Sequence, residues 1–269
     1  MPAIEPGSMP DHHIFLSDVH YGAFSEESNR QIEADLLSLV DFCMDNRIRL
    51  HILGDLFDYW MEYPGYHPDT GYRIIEKFRK YADQSGRPVL YITGNHDNWT
   101  RGYFETAGFD VESEYRRIRI EGTPVFLHHG DGLKDPRLNL PRPMINRILR
   151  HPLFIKIYQW MLPPTCGLSL MRHFSGFSRA RPVHDPERLN SWAEEFLSKN
   201  SIDFVICGHD HIPRVESCPS GTLLNSGPFF SHRTVIRYTK GSFELVVWDS
   251  EQRQLTPYKR LTPYKRSKI

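Results

Sequence analysis

Five short clusters in this chain combine carboxylate, carboxamide and imidazole side chains: Asp18-Val19-His20, Gly54-Asp55, Gly94-Asn95-His96-Asp97, His128-His129-Gly130-Asp131 and Gly208-His209-Asp210-His211. Such a set offers oxygen and imidazole nitrogen without thiolate, which suits Mn²⁺, Fe or Zn²⁺ and not a cysteine-built structural zinc site. The donors outnumber what one ion needs. Two divalent ions sharing a carboxylate would use them, and such a pair can clamp a phosphate and lower the pKa of an intervening water toward neutrality. A lone Asp-x-His carries little weight in a chain with 14 histidines and 33 acids. Gly-Asn-His-Asp and Gly-His-Asp-His are rarer, and five clusters in series are hard to produce by chance. His12, His13, His51 and His128 lie within or beside apolar runs and read as structural.

Each cluster follows an apolar run of strand length: His12–Ser17, Arg49–Leu53, Pro88–Thr93, Pro124–His128 and Asp203–Cys207. Between them, Ile32, Leu36, Leu39, Val40 and Cys43 recur at helical spacing, and Tyr72–Tyr81 and Pro186–Lys199 read as further helices. Alternating strands and helices predict an α/β domain, and loops at the ends of its parallel strands are where such folds bind ligands. Gly54, Gly94 and Gly208 are expected to let the backbone turn sharply there. Tyr115–Ile120 and Pro124–His128 predict a hairpin joined through Glu121-Gly122-Thr123, and Leu223–Leu224, Arg233–Tyr238 and Glu244–Trp248 add strands. Residues 132–182 read as a Pro-interrupted helical insertion, with short helices around Ile145–Leu149, Leu153–Leu162 and Leu168–Met171. The expected organisation is one domain over 1–254 including that insertion, then a basic tail over 255–269 that repeats Leu-Thr-Pro-Tyr-Lys-Arg twice.

The composition is that of an ordinary globular chain: 269 residues, 39% hydrophobic and 25% charged, which excludes fibrous and disordered classes. The most continuous apolar stretch, Leu153–Leu162, carries Lys156 and Gln159 and falls short of the roughly 20 residues a spanning helix needs. The first eleven residues lack a basic start and an apolar core, so no secretory signal is expected and the chain is placed in the cytoplasm. Cys43, Cys166, Cys207 and Cys218 form no Cys-x-x-Cys pair and read as free thiols in a reducing compartment. Net charge is zero, yet Arg137 to Arg181 holds eight bases and no acid, and the segment from Leu255 onward holds five bases and no acid. Both stretches point to anionic partners.

In order, the motifs D-x-H, G-D, G-N-H-D, a later H and G-H-x-H resemble those of the calcineurin-like metallophosphoesterases over roughly residues 12–130 and 200–250. The resemblance implies a four-layer α/β/β/α sandwich. It implies that Asp18, His20, Asp55 and His211 hold one ion and that Asp55, Asn95, His129 and His209 hold the other, with Asp55 bridging. Mn²⁺ is the first choice of metal, with Fe or Zn²⁺ as alternatives. It also implies catalytic roles for His96, facing the leaving group or the scissile phosphate, and for Asp97, orienting it. Within the family, Gly54-Asp55-Leu56-Phe57-Asp58-Tyr59-Trp60, His129-Gly130-Asp131 and the basic insertion are similar to UDP-2,3-diacylglucosamine pyrophosphohydrolases of lipid A biosynthesis. Those enzymes cleave the diphosphate to UMP and 2,3-diacylglucosamine 1-phosphate; their best-known branch has Arg at the position of His96.

The partners implied are an acylated sugar nucleotide and an anionic membrane surface, with the protein peripheral on the inner face of the cell membrane. Leu153–Leu162 offers surface for acyl chains, and the insertion's arginines offer charge for a diphosphate or anionic lipid. Ile145, Leu149, Phe154, Ile157 and Trp160 serve equally as helix-packing core. Asn95, Ser178, Arg179 and Arg181 are candidate substrate contacts. Two other readings stand beside this one. A metallophosphodiesterase for nucleotides or nucleic acid fits the basic insertion, although bases interleaved with Leu, Ile and Met suit lipid better than stacked nucleobases. A metal-free scaffold of the same fold is disfavoured because every metal position is filled. Oligomeric state is left open.

Overall fold

A computed structural model of the chain describes residues 12–179 and 186–259, the side chains of 174–179 excepted. Its elements in chain order are β1 (His13–Leu16), α1 (Glu26–Asp45), β2 (Arg49–Leu53), α2 (Tyr72–Ser85), β3 (Val89–Ile92), α3 (Tyr103–Thr106), β4 (Phe109–Glu112), β5 (Tyr115–Ile120) and β6 (Thr123–His128). There follow α4 (Met144–Leu149), α5 (Pro152–Met161), α6 (Pro164–Arg179), α7 (Pro186–Lys199), β7 (Phe204–Cys207), β8 (Arg214–Cys218), β9 (Gly221–Asn225), α8 (Phe229–His232), β10 (Thr234–Thr239), β11 (Ser242–Asp249) and β12 (Gln254–Pro257). Seven strands form one sheet in the order β12-β11-β10-β1-β2-β3-β4, and five form a second in the order β5-β6-β7-β9-β8.

The period-two alternation of side chains along each strand builds the layers. On β1, Ile14 and Leu16 join Leu36, Leu39 and Val40 of α1 and Ile74, Ile75 and Phe78 of α2 in one core, while Phe15 turns to the other face. That other face meets the second sheet: Phe15, Leu53, Leu90 and Ile92 pack with Val125, Leu127, Ile206 and Leu224. The outer face of the second sheet, with Phe126, Val205, Cys207 and Leu223, is covered by Leu189, Trp192, Ala193 and Phe196 of α7. The result is the expected four-layer α/β/β/α sandwich.

The insertion, α4 to α6, divides its apolar residues in two. Leu149, Phe154, Ile155 and Tyr158 pack with Tyr59, Met61, Tyr63, Trp99, Leu168 and Met171, and the Trp99 indole N–H donates to the Leu149 carbonyl at 2.8 Å. Met144, Ile145, Ile148, Leu153, Ile157 and Trp160 remain exposed. Of the residues that could have served either way, Leu149 and Phe154 are packing, and Ile145, Ile157 and Trp160 are surface.

Three details differ from expectation. The hairpin turn has two residues, because Ile120 pairs with Thr123 and both Glu121 (φ 48°) and Gly122 (φ 86°) take the left-handed conformation of a tight turn. The expected basic tail begins inside the sheet, since Leu255, Thr256 and Pro257 belong to β12 at an edge, where Pro is tolerated. Strand β4 alternates Phe109 and Val111 with Asp110 and Glu112 but is only four residues long, and β8, β12 and the short helices α3 and α8 carry no clear apolar period; β8, for instance, is an edge strand containing Arg214, Glu216 and Ser217.

Candidate metal centre

All five clusters leave the C-terminal ends of strands. Strands β1, β2 and β3 run parallel in one sheet and β6 and β7 run parallel in the other, so stacking the sheets brings the five loops to one rim. Backbone bonds join them: Asp18 N–H donates to Gly54 O at 3.1 Å, His20 N–H to Asp55 O at 2.9 Å and Gly208 N–H to His129 O at 2.8 Å. Asp18, His20, Asp55, His209 and His211 all have positive φ, between 45° and 75°, a conformation that non-glycine residues adopt at a cost of about 1–3 kcal/mol. Such strain persists only where the surroundings fix it, and it aims side chains inward. Gly54 (φ 91°) turns as expected. Gly94 serves a different purpose: a Cβ there would lie 2.0 Å from Asp55 Oδ1, so glycine is needed for close approach.

The donors converge in two nests. Ligand atoms of Asp18, His20 and His211 lie within 4.8 Å of one another, as do those of Asp55, His129 and His209. Asp55 Oδ2 stands between them, 3.6 Å from His20 Nε2 and 3.3 Å from His129 Nε2. Asn95 Oδ1 lies 3.2 Å from His129 Nε2. His129 Nδ1 is 2.8 Å from the Leu53 carbonyl, which can only accept, so Nδ1 carries the proton and Nε2 presents its lone pair to two further acceptors. Converging lone pairs require a shared proton or cation. In the other nest, Asp18 Oδ1 lies 3.3 Å from His211 Nε2 and 3.8 Å from His20 Nε2, and His20 Nδ1 is buried 3.8 Å from Asp58 Oδ1. This donor set fits divalent metal, with the Leu53 carbonyl fixing the His129 tautomer as a supporting group would.

The electrostatics agree. Burial raises the Asp18 carboxyl, but the bond and charge of His211 outweigh this and hold it at about 2. Burial likewise opposes charge on Asp55, and His129 and His96 keep it well below the usual carboxylate range. Burial drives His20 down to about 3 and His209 to about 4, leaving both neutral as ligands must be. On His129 the charge of Asp55 overcomes burial and raises the imidazole to about 10, a proton on Nε2 answering the same oxygens that a cation would otherwise hold.

His96 joins His20 and Asp55 in a third group of ligand atoms within 4.8 Å. Its Nδ1 lies 2.6 Å from the Asp58 carbonyl and 3.6 Å from Asp58 Oδ1. Asp97, expected to orient His96, is instead turned into the core: Oδ1 accepts from Gly94 N–H at 2.7 Å, and Oδ2 accepts from Leu56 N–H at 2.7 Å and from the Tyr91 hydroxyl. The correction has a simple reason. Three donors already claim Asp97, whereas Asp58, three residues beyond Asp55, passes directly behind the His96 ring. Two of the insertion's arginines, expected to offer charge to an anionic partner, are taken up within the chain: Arg142 is buried against Asp131 and Glu114, and Arg150 is half-buried against Asp131. Arg150 and Arg142 together overcome the effect of burial and hold Asp131 at about 2. The side chains of Ser178 and Arg179, and Arg181 altogether, lie outside the described residues.

A family model described as calcineurin-like phosphoesterase matches residues 13–213, from β1 past His211. The chain belongs to the calcineurin-like phosphoesterases. The members of this family use divalent metals, and the two nests supply candidate ligands for them. Relatives that carry the name UDP-2,3-diacylglucosamine hydrolase include the following three. That of Porphyromonas gingivalis is 26% identical over 217 residues, covering 74% of this chain and 82% of its own. That of Nitrosococcus oceani is 29% identical over 209 residues, covering 75% and 79%. That of Vibrio parahaemolyticus is 23% identical over 239 residues, covering 86% and 96%.

Proposed function

We propose that this calcineurin-like phosphoesterase hydrolyses the diphosphate of UDP-2,3-diacylglucosamine, releasing UMP and 2,3-diacylglucosamine 1-phosphate. The observation that carries the proposal is a pair of carboxylate and imidazole nests sharing Asp55, set beside an insertion whose apolar face is exposed. The names of the relatives support the same substrate. Asp18, His20, Asp55 and His211 would hold one divalent ion and Asp55, Asn95, His129 and His209 the other, Mn²⁺ being the first choice for a thiolate-free donor set. When bound, two such ions supply charge for the diphosphate and acidify a water toward neutrality.

The chain's own groups do the rest. His96 is oriented by its Nδ1 on the Asp58 carbonyl, with the Asp58 carboxylate 3.6 Å away, and would hand a proton to the departing phosphate oxygen. Tyr59 links this ring to the insertion: its ring centroid lies 5.6 Å from that of His96, and its hydroxyl donates to Met171 Sδ on α6 at 3.4 Å. The acyl chains would lie along a groove of about 400 Å³ lined by Met144, Ile148, Leu153, Phe154 and Ile157. Among the described residues no helix is long and apolar enough to cross a membrane. Peripheral association at the inner face of the cell membrane, through Trp160 and the exposed Arg147 and Lys156, would give access to such a substrate.

The test is release of UMP from a panel of UDP-sugars with and without acyl chains, run with Mn²⁺ and with Mg²⁺. The diacylated substrate is expected to be preferred by at least roughly tenfold in kcat/KM, a modest share of what burying acyl methylenes offers. Equal rates on unacylated nucleotides would overturn the substrate assignment and favour a nucleotide phosphodiesterase.

A further inference from the structure

The Gly94–His96 segment is anchored at every backbone group whose partner the structure gives. Gly94 N–H donates to Asp97 Oδ1 at 2.7 Å, the Asn95 carbonyl accepts from Asn98 Nδ2 at 2.9 Å, His96 N–H donates to Asp55 Oδ1 at 2.9 Å and the His96 carbonyl accepts from Trp60 N–H at 3.0 Å. These partners all belong to the sandwich's own rim. The Gly94 carbonyl is different: it accepts from Arg150 Nη2 at 2.7 Å, and Arg150 sits between α4 and α5 of the insertion. The same Nη2 lies 3.1 Å from Asp131 Oδ2, two residues beyond His129, while Nη1 donates to the Ser113 carbonyl at 3.1 Å. A single planar guanidinium therefore spans the loop that carries Asn95, the loop that carries His129 and the lead into β5. Lysine, a point donor on a flexible stem, has no equivalent fork.

Resting on the reading of Asn95 and His129 as metal-facing, we propose that Arg150 is a positioning residue for their half of the centre, through which the seat of the insertion sets that half's geometry. The plane of the Gly94–Asn95 peptide follows the direction of the bond from Arg150, and the Asn95 side chain follows the peptide. Arg142, 3.3 Å from the same Asp131 oxygen and doubly bonded to Glu114, secures Asp131 from the other side. Removal of Arg150 therefore leaves Asp131 paired, and the variant can fold.

The experiment compares wild type with Arg150→Met and Arg150→Lys in three measurements: hydrogen exchange of the metal-free proteins over 93–98 and 129–133, Mn²⁺ titration, and turnover of bis(p-nitrophenyl) phosphate, which is too small to need the apolar face. Exchange over 93–98 in Arg150→Met is expected to rise about tenfold while β1 and α1 keep their protection. One of two Mn²⁺ equivalents should weaken about tenfold, and kcat should fall at least about tenfold with KM within about twofold, since displacements near an ångström carry such costs. Arg150→Lys should recover part of kcat. Unchanged exchange over 93–98 overturns the proposal, and so does faster exchange with wild-type Mn²⁺ binding and kcat, which would leave Arg150 a mere fastener of the insertion. A wild type that neither binds Mn²⁺ nor cleaves the diester strikes the hydrolase reading instead, and the metal-free exchange still decides whether Arg150 holds the loop.

Discussion

Asp55 places one carboxylate oxygen between imidazoles from the two sheets, His20 and His129, and gives its other oxygen to the His96 amide. Replacing Asp55 with alanine is accordingly expected to abolish turnover and to lower bound metal more than any other single ligand change, which metal analysis of the purified variants checks. Two retained metals with near-normal turnover would remove the bridging assignment. His96→Ala is expected to lose roughly 10²–10⁴-fold in kcat with metal content intact, the range for a positioned proton-transfer group. Because His96 also falls within ligand distance of His20 and Asp55, metal loss in that variant would make it a ligand instead. The seven candidate ligands, which the fold brings to one rim, could be picked out in the sequence because ligand chemistry restricts residue type and because each cluster follows an apolar run. The partner of His96 was not. Asp97 is its neighbour along the chain, Asp58 its neighbour in space, and the difference is set by how the Gly94–Asp97 turn folds back onto Gly94 N–H and Leu56 N–H.

The same divide between adjacency and contact governs the elements. Strands with alternating apolar faces announced themselves, whereas β8 and β12, polar edge strands, exist because a neighbouring strand offers hydrogen bonds. In the insertion the apolar residues were plain, but which of them packed was decided by Trp99, Tyr59 and Met61 on the sandwich. Two of its arginines looked like a surface for anions until Asp131 and Glu114 were seen to take them up. Trp99 and Trp160 give the sharpest contrast, being 5% and 86% exposed. Trp99→Ala is expected to destabilise the protein by about 3–5 kcal/mol, the cost of emptying a buried aromatic site, and to loosen the end of α4 it holds. Trp160→Ser should change stability by no more than about 0.5 kcal/mol. Its effect should fall on KM for the diacylated nucleotide. Denaturant unfolding of the two variants, alongside KM for acylated and unacylated substrates, separates packing from contact with acyl chains.

At the scale of the whole molecule, the acid-free stretch from Arg137 to Arg181 delivers less surface charge than its sequence promised. Arg142 and Arg150 are turned inward and Arg137, though exposed, pairs with Asp135, which leaves Arg147, Lys156 and Arg172 as the exposed bases of this stretch without a salt bridge to an acid among the described residues. At about 1 kcal/mol per base near an anionic leaflet, these three supply only about 3 kcal/mol, and salt screens it. The exposed faces of Leu153, Ile157, Trp160 and Met161 add an area-dependent attraction that salt does not weaken. The protein is therefore expected to float with anionic vesicles at low salt, to be released only in part at high salt, and to bind neutral vesicles weakly. Trp160→Ser combined with Ile157→Ser should abolish the salt-resistant fraction, while Arg147→Glu combined with Lys156→Glu should remove the preference for anionic lipid and leave that fraction in place. Flotation of wild type and both double variants, at low and high salt, measures the two contributions separately. Absence of the wild type from both kinds of vesicle would sink membrane association and confine the apolar face to gripping the acyl chains of substrate delivered to it.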